Sequence, residues 1–95
     1  MSFVYILLCN DNSYYIGSTI NLDKRLHEHS SGIGAIYTAK RLPVKLVYFE
    51  SYTNIKDAFE REKQLKKWSR AKKEILINGD LDKLSNLSQA YRDRE

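Results

Sequence analysis

The apolar residues of this chain fall into runs and stripes that mark out its elements. Residues 3–9 (Phe-Val-Tyr-Ile-Leu-Leu-Cys) are apolar throughout and rich in β-formers, the pattern of a central strand covered on both faces. Asn10-Asp11-Asn12-Ser13 is turn chemistry, and residues 14–20 (Tyr-Tyr-Ile-Gly-Ser-Thr-Ile) read as a second strand, so the pair makes a β-hairpin. Asn21 caps a helix over 22–30, with Leu22 and Leu26 as its apolar stripe and Gly32 as its end. Residues 31–42, with two glycines, read as a loop. Pro43 precedes a third strand over 44–52, where Val44, Leu46 and Tyr48 alternate with Lys45, Val47 and Phe49. Thr53 or Asn54 caps a helix over 55–68, and Ser69 caps another over 70–78 that Gly79 closes. Beyond it, Leu81, Leu84 and Leu87 keep helical spacing before the chain turns polar. The order ββα-β-αα predicts an α/β fold: a small three-stranded, mostly antiparallel sheet flanked by helices. One domain over 1–80 would carry a partly helical or frayed tail over 81–95.

One residue breaks the pattern. With Ile55 at 0° and about 100° per residue, Ala58, Phe59 and Leu65 fall at about 300°, 40° and 280° and define a buried stripe. Glu62 falls inside that stripe, at about 340°, whereas Glu60 lies with Lys56, Lys63 and Lys67 on the wet face. An ionised carboxylate turned toward a core costs several kcal/mol unless it is paired or holds a metal. Two readings follow: a rim salt bridge with Lys66 one turn on, or a metal ligand held on a rigid helix.

On the first helix, Arg25 and His29 are four residues apart and share a face. A guanidinium beside an imidazole calls for an anion, and a phosphate would satisfy both, although Asp23, Lys24 and Glu28 also allow a plain solvated face. Tyr5 and Tyr15 lie in the two hairpin strands. A four-residue loop would pair Cys9 with Tyr14 and put these tyrosines on opposite faces; a bulge or an odd-length loop would put them on one.

Composition narrows the chemistry. The 95 residues carry 16 Lys and Arg against 12 Asp and Glu, a net charge of +4 that suits nucleic acid or another anionic surface. Arg61, Lys63, Lys66, Lys67, Arg70, Lys72 and Lys73 cluster along the chain, and Lys40 and Arg41 sit on the glycine-flanked loop; these are candidate phosphate contacts. The single cysteine, Cys9, allows no internal disulfide and no cysteine-pair metal site, and points to a reducing cytoplasm. No apolar run approaches a membrane span, and no basic region precedes the first strand as in a secretory signal.

Taken in order, these residues resemble a known family. Val4-Tyr5-Ile6 and Tyr15-Ile16-Gly17 resemble the two signature tripeptides of the GIY-YIG nuclease superfamily, with Val4 where the family name has glycine. Arg25 with His29 one turn later is similar to the family's helix, and Ala58-Phe59-Glu60-Arg61-Glu62 to its metal-binding helix. Tyr37-Thr38, the stretch 43–48 and the stretch 68–73 also look like small stand-alone bacterial members, which are similar to the N-terminal domain of the excinuclease C protein. The resemblance runs from about residue 3 to residue 80. It implies a metal-dependent endonuclease acting on nucleic acid, expected to be DNA, with structure-specific repair or processing as the setting. It further implies Mg²⁺ or Mn²⁺ on Glu62, Arg25 on the phosphate, Tyr5 activating water, Tyr15 orienting the water or the phosphate, and His29 as base or phosphate donor. The base stays open between Tyr5 and His29. All five groups would share one hollow on one side of the sheet, with the tyrosines brought to one face by a bulge or an odd loop. The alternative is a non-catalytic nucleic-acid-binding or adaptor module, a monomer or weak dimer in either case.

Overall fold

The computed structural model describes residues 1–79; the tail expected over 81–95 lies outside them. The elements are β1 (Ser2–Leu8), β2 (Tyr14–Thr19), α1 (Leu22–Ser30), α2 (Ile36–Ala39), β3 (Lys45–Tyr52), α3 (Ile55–Lys66) and α4 (Arg70–Asn78). The sheet is antiparallel in the order β2-β1-β3, so the all-apolar strand is central and β2 is an edge. Asn21, Asn54 and Ser69 each cap a helix through a side-chain oxygen that accepts a backbone N–H. Gly79 ends α4 at a φ of 74°. The stretch expected to be a loop contains the short helix α2.

Hairpin register decides which side chains meet. Leu8 pairs with Tyr14, and the Cys9 N–H continues the ladder to the Ser13 carbonyl at 2.8 Å. Only Asn10, Asp11 and Asn12 remain as loop, with Asn12 in the left-handed region at φ 69°. The loop is therefore odd. Tyr5 pairs with Gly17 and Leu7 with Tyr15, so both tyrosines lie on one face. A bulge also occurs, but between β1 and β3 at Ile6/Leu7, where Val47 is the unpaired residue.

The opposite face carries the main core: Val4, Ile6 and Ile16 packed against Leu65 of α3 and Leu76 of α4. The buried stripe of α3 is rotated from the expected one. Ala58 and Leu65 are fully buried, but Phe59 is half exposed, and the side chain on the stripe's other flank is Arg61. Arg61 donates from Nε and Nη2 to the two oxygens of Glu50 at 2.9 and 3.0 Å, and the Tyr48 and Tyr52 hydroxyls donate to the same carboxylate. This pairing clamps α3 onto β3 and shifts Glu62 from the middle of the stripe to its rim.

Candidate active site

Tyr5 is the hub. It is buried, and its ring crosses its cross-strand partner Gly17 so closely that a Cβ there would stand 2.5 Å from the hydroxyl and 2.7 Å from Cζ. The tyrosine pair thus requires a glycine opposite it. The Tyr5 hydroxyl lies 2.7 Å from Nε2 of His29, whose Nδ1 lies 2.9 Å from the Thr38 hydroxyl; His29 and Thr38 are both fully buried. The Tyr15 ring sits 6.5 Å from that of Tyr5 and meets His29 edge-on at 5.2 Å. Tyr37 of α2 stacks on Tyr15.

Burial raises the Tyr5 pKa far above the ordinary phenol range; the neighbouring Tyr15 and the Glu62 charge push the same way, and Arg25 pulls it down. Burial lowers the His29 pKa below the ordinary imidazole range; Arg25 adds to this and Glu28 opposes it. The pair at neutral pH is a phenol against an uncharged imidazole. Both ring nitrogens of His29 have protein partners, Tyr5 and Thr38, so the phosphate-donor role expected for it would require one of these bonds to open.

Arg25 and Glu62 approach from different sides. The tyrosines lie on the face of the sheet toward α1, whereas α3 packs on the other face. The expectation that all five groups share one side of the sheet is therefore corrected. Glu62 reaches the rim of the edge strand, where the Ser18 hydroxyl donates to its Oε1. Ser18 directly follows Gly17, so two consecutive β2 residues touch Tyr5 on one face and Glu62 on the other. Arg25 is partly exposed and ion-paired with Glu28 at 3.3 Å. The charges of Arg25 and Glu62 are both felt at the Tyr5 hydroxyl. Two hollows flank this rim. One of about 260 Å³ is lined by Thr19, Asn21, Lys24 and Arg25 among others, and one of about 240 Å³ by Tyr14, Tyr15, Tyr37, Lys66 and Lys73. A larger hollow of about 410 Å³ against Tyr52, Asp57 and Arg61 holds none of the candidate groups.

The rim ion pair between Glu62 and Lys66 is present at 2.6 Å, with Lys66 more than half exposed. Among the described residues no group of three or more His, Cys, Asp or Glu side chains converges, and Glu62 is the carboxylate at this rim that could hold a divalent ion. That donor set fits a hard cation which keeps most of its waters and shares a phosphate. The half-exposed ammonium now on the carboxylate is a partner that such a cation can replace.

The basic residues divide. Arg41 is committed to Asp11 at 2.9 Å, to the Tyr37 carbonyl and to the Tyr37 ring. Arg61 is committed to Glu50. Arg70 covers the Tyr14 ring, bonds the Asn12 carbonyl and pairs with Glu74. Lys72 lies over Trp68. Lys66 and Lys73 face the tyrosine-lined hollow beside the site, while Lys40, Lys63 and Lys67 lie outside it. Sequence reasoning missed three residues as parts of the site: Ser18, Gly34 and Thr38. Ser18 and Gly34 carry no signal of their own, and Thr38 stood out only as half of Tyr37-Thr38.

Comparison with known proteins identifies the family of the fold. Residues 1–75 match the family model described as the GIY-YIG catalytic domain. A UPF0213 protein of Clostridium perfringens is 49% identical over 86 residues, covering 90% of this chain and 92% of the relative. A UPF0213 protein of Natronomonas pharaonis is 45% identical over 79% of this chain and 88% of its own. The solution structure of a UPF0213 protein from Bacillus halodurans superposes with a TM-score of 0.54 at 42% identity, over 82% of this chain and 84% of that one. This chain belongs to the GIY-YIG catalytic-domain family of the nuclease superfamily, among its small stand-alone UPF0213 members.

Proposed function

We propose that the protein is a metal-dependent endonuclease that hydrolyses a phosphodiester bond of nucleic acid, with DNA as the substrate and processing or repair in the cytoplasm as the setting. The observation that carries the reading is the Tyr5 hydroxyl: His29 bonds it, Tyr15 packs beside it, and the charges of Arg25 and Glu62 both act on it. The scissile phosphate sits at the β2 rim, with the Arg25 guanidinium stabilising its developing charge. Glu62 would hold a divalent ion, Mg²⁺ or Mn²⁺, which would supply positive charge to the developing phosphate anion.

Tyr5 and His29 act as a pair. As water attacks phosphorus and the P–O bond to the leaving oxygen breaks, one water proton passes to the Tyr5 oxygen, the Tyr5 proton passes to Nε2 of His29, and the leaving oxygen takes a proton from solvent. A phenolate therefore never has to persist in a buried site that raises the Tyr5 pKa, and the lowered His29 pKa leaves its lone pair available at neutral pH. Tyr15 orients the attacking water, and Lys66 and Lys73 hold the flanking strand in the hollow that they line.

The test is incubation with branched, flapped and single-stranded DNA in Mg²⁺ or Mn²⁺. Cleavage by the wild type that disappears in Glu62→Ala and Arg25→Ala is the expected result. Tight, salt-sensitive binding without metal-dependent cleavage would replace the nuclease with a nucleic-acid-binding module.

A further inference from the structure

Thr38 has no part in the chemistry above, yet it is fully buried against the one histidine that does. Its hydroxyl donates to the Ala35 carbonyl at 3.2 Å, and the same carbonyl accepts the Ala39 N–H at 3.0 Å. A hydroxyl has a single proton. With that proton on a carbonyl, Thr38 can meet His29 Nδ1 only as an acceptor. Nδ1 then carries the imidazole proton, and Nε2 presents its lone pair to Tyr5.

We propose that Thr38 is the positioning residue that holds His29 as the Nδ1–H tautomer, so that Nε2 accepts the Tyr5 proton. The catalytic half of this inference rests on the nuclease reading; the tautomer itself does not. In the opposite tautomer Thr38 would have to donate to Nδ1 and release Ala35, and the Tyr5 hydroxyl would face an N–H in place of its acceptor. The chain of donors would then run the other way, Thr38 to His29 to Tyr5, and Nε2 could take no proton from the phenol.

A second observation places the same segment against the ring. A Cβ on Gly34 would stand 2.6 Å from His29 Nδ1 and 2.8 Å from its Cγ, so the backbone of Gly34 closes over the Nδ1 edge. No buried side-chain nitrogen or oxygen among the described residues lacks a partner, which fits a closed network. The titratable groups around the ring are Tyr5 of β1, Tyr15 of β2, and Arg25 and Glu28 of α1; α2 contributes only the neutral hydroxyl. The stretch from Gly34 to Thr38 is thus the device that sets the direction of proton flow.

Long-range ¹H–¹⁵N NMR of the full chain reads the tautomer without metal or nucleic acid, and only one other histidine, His27, is present to resolve from His29. The expected result is a protonated Nδ1 in the wild type and in Thr38→Ser. Thr38→Val should move the population toward Nε2–H and slow cleavage on the order of 10²-fold, with Thr38→Ser restoring both. A wild-type His29 protonated on Nε2 overturns the assignment even if Thr38→Val does not fold. So does a folded Thr38→Val protein whose tautomer is unmoved. The stated tautomer in a protein that cleaves nothing supports the assignment and refutes the nuclease reading.

Discussion

Adding one methyl group at Gly17 tests the centre of the arrangement. The new Cβ in Gly17→Ala would lie 2.5 Å from the Tyr5 hydroxyl, and ordinary contact begins at 3.4 Å, so the oxygen must move by about 0.9 Å. Tyr5 has little room to yield, because it is buried, its hydroxyl is held at 2.7 Å by His29, and Tyr15 packs beside it. Overpacking of this kind costs about 1–3 kcal/mol, and the lower chain entropy of alanine returns about 0.4–1 kcal/mol. The net loss of about 0–2.6 kcal/mol has its middle at about 1.3 kcal/mol, which corresponds to a melting temperature lower by roughly 5–10 °C for a chain of this size. If Tyr5 moves instead of the strand, the displacement alone is expected to slow cleavage about 10²-fold. Calorimetry and single-turnover cleavage measure the two effects separately. Tyr5→Phe removes the hydroxyl contact but leaves Cζ at 2.7 Å, so in the Gly17→Ala background it should recover part of the stability. A Gly17→Ala protein with unchanged melting and cleavage would refute the claim that the Tyr5 ring lies across this glycine.

Three further outcomes are expected. Glu50→Gln removes the charge from a carboxylate bonded by Arg61, Tyr48 and Tyr52 and should cost about 2–4 kcal/mol by chemical denaturation, because Arg61 is left unpaired and mostly buried. Burial opposes the Glu50 charge but the hydrogen bonds from Arg61, Tyr48 and Tyr52 outweigh it, so its pKa lies below the ordinary range; the stability it adds is present above about pH 4.3 and fades as pH falls below that, a loss that Glu50→Gln should abolish. His29 acts in the same direction at higher pH: the unfolded chain takes up a proton near pH 6.5 while the buried ring resists it, so unfolding should become easier as pH falls below about 6.5, and a folded His29 titrating at or above that value by NMR would contradict this. Lys66→Ala removes the ammonium that competes for Glu62, so Mn²⁺ affinity measured by titration should rise, by no more than about fivefold for so exposed a pair; a fall in affinity would count against Glu62 as the ligand.

Much of the fold was legible one element at a time. The asparagine and serine caps, the apolar central strand and the basic helices are local features, and each stands where its own chemistry placed it. Phe59 and Arg61 were not legible. Periodicity alone cannot tell which flank of the α3 stripe turns inward, and that was decided by Glu50, a partner eleven residues away on β3. The loop over 31–42 hid a helix for a related reason. A four-residue helix has too few turns to show a period, and what holds Thr38 in place is its partner His29 on a different element.

The amino-acid sequence by itself determined the residue types of the site, the order of every element but α2, and the family, because signature spacings and capping residues act over a few positions. Tertiary structure alone decided that the hairpin loop is odd, that Tyr5 crosses Gly17, that His29 is sealed between Tyr5 and Thr38, and that Glu62 meets Ser18 of β2 from the opposite face of the sheet. These facts depend on register and on packing between distant segments. A shift of one residue in strand pairing would send every side chain of β2 to the other face without changing a letter of the sequence.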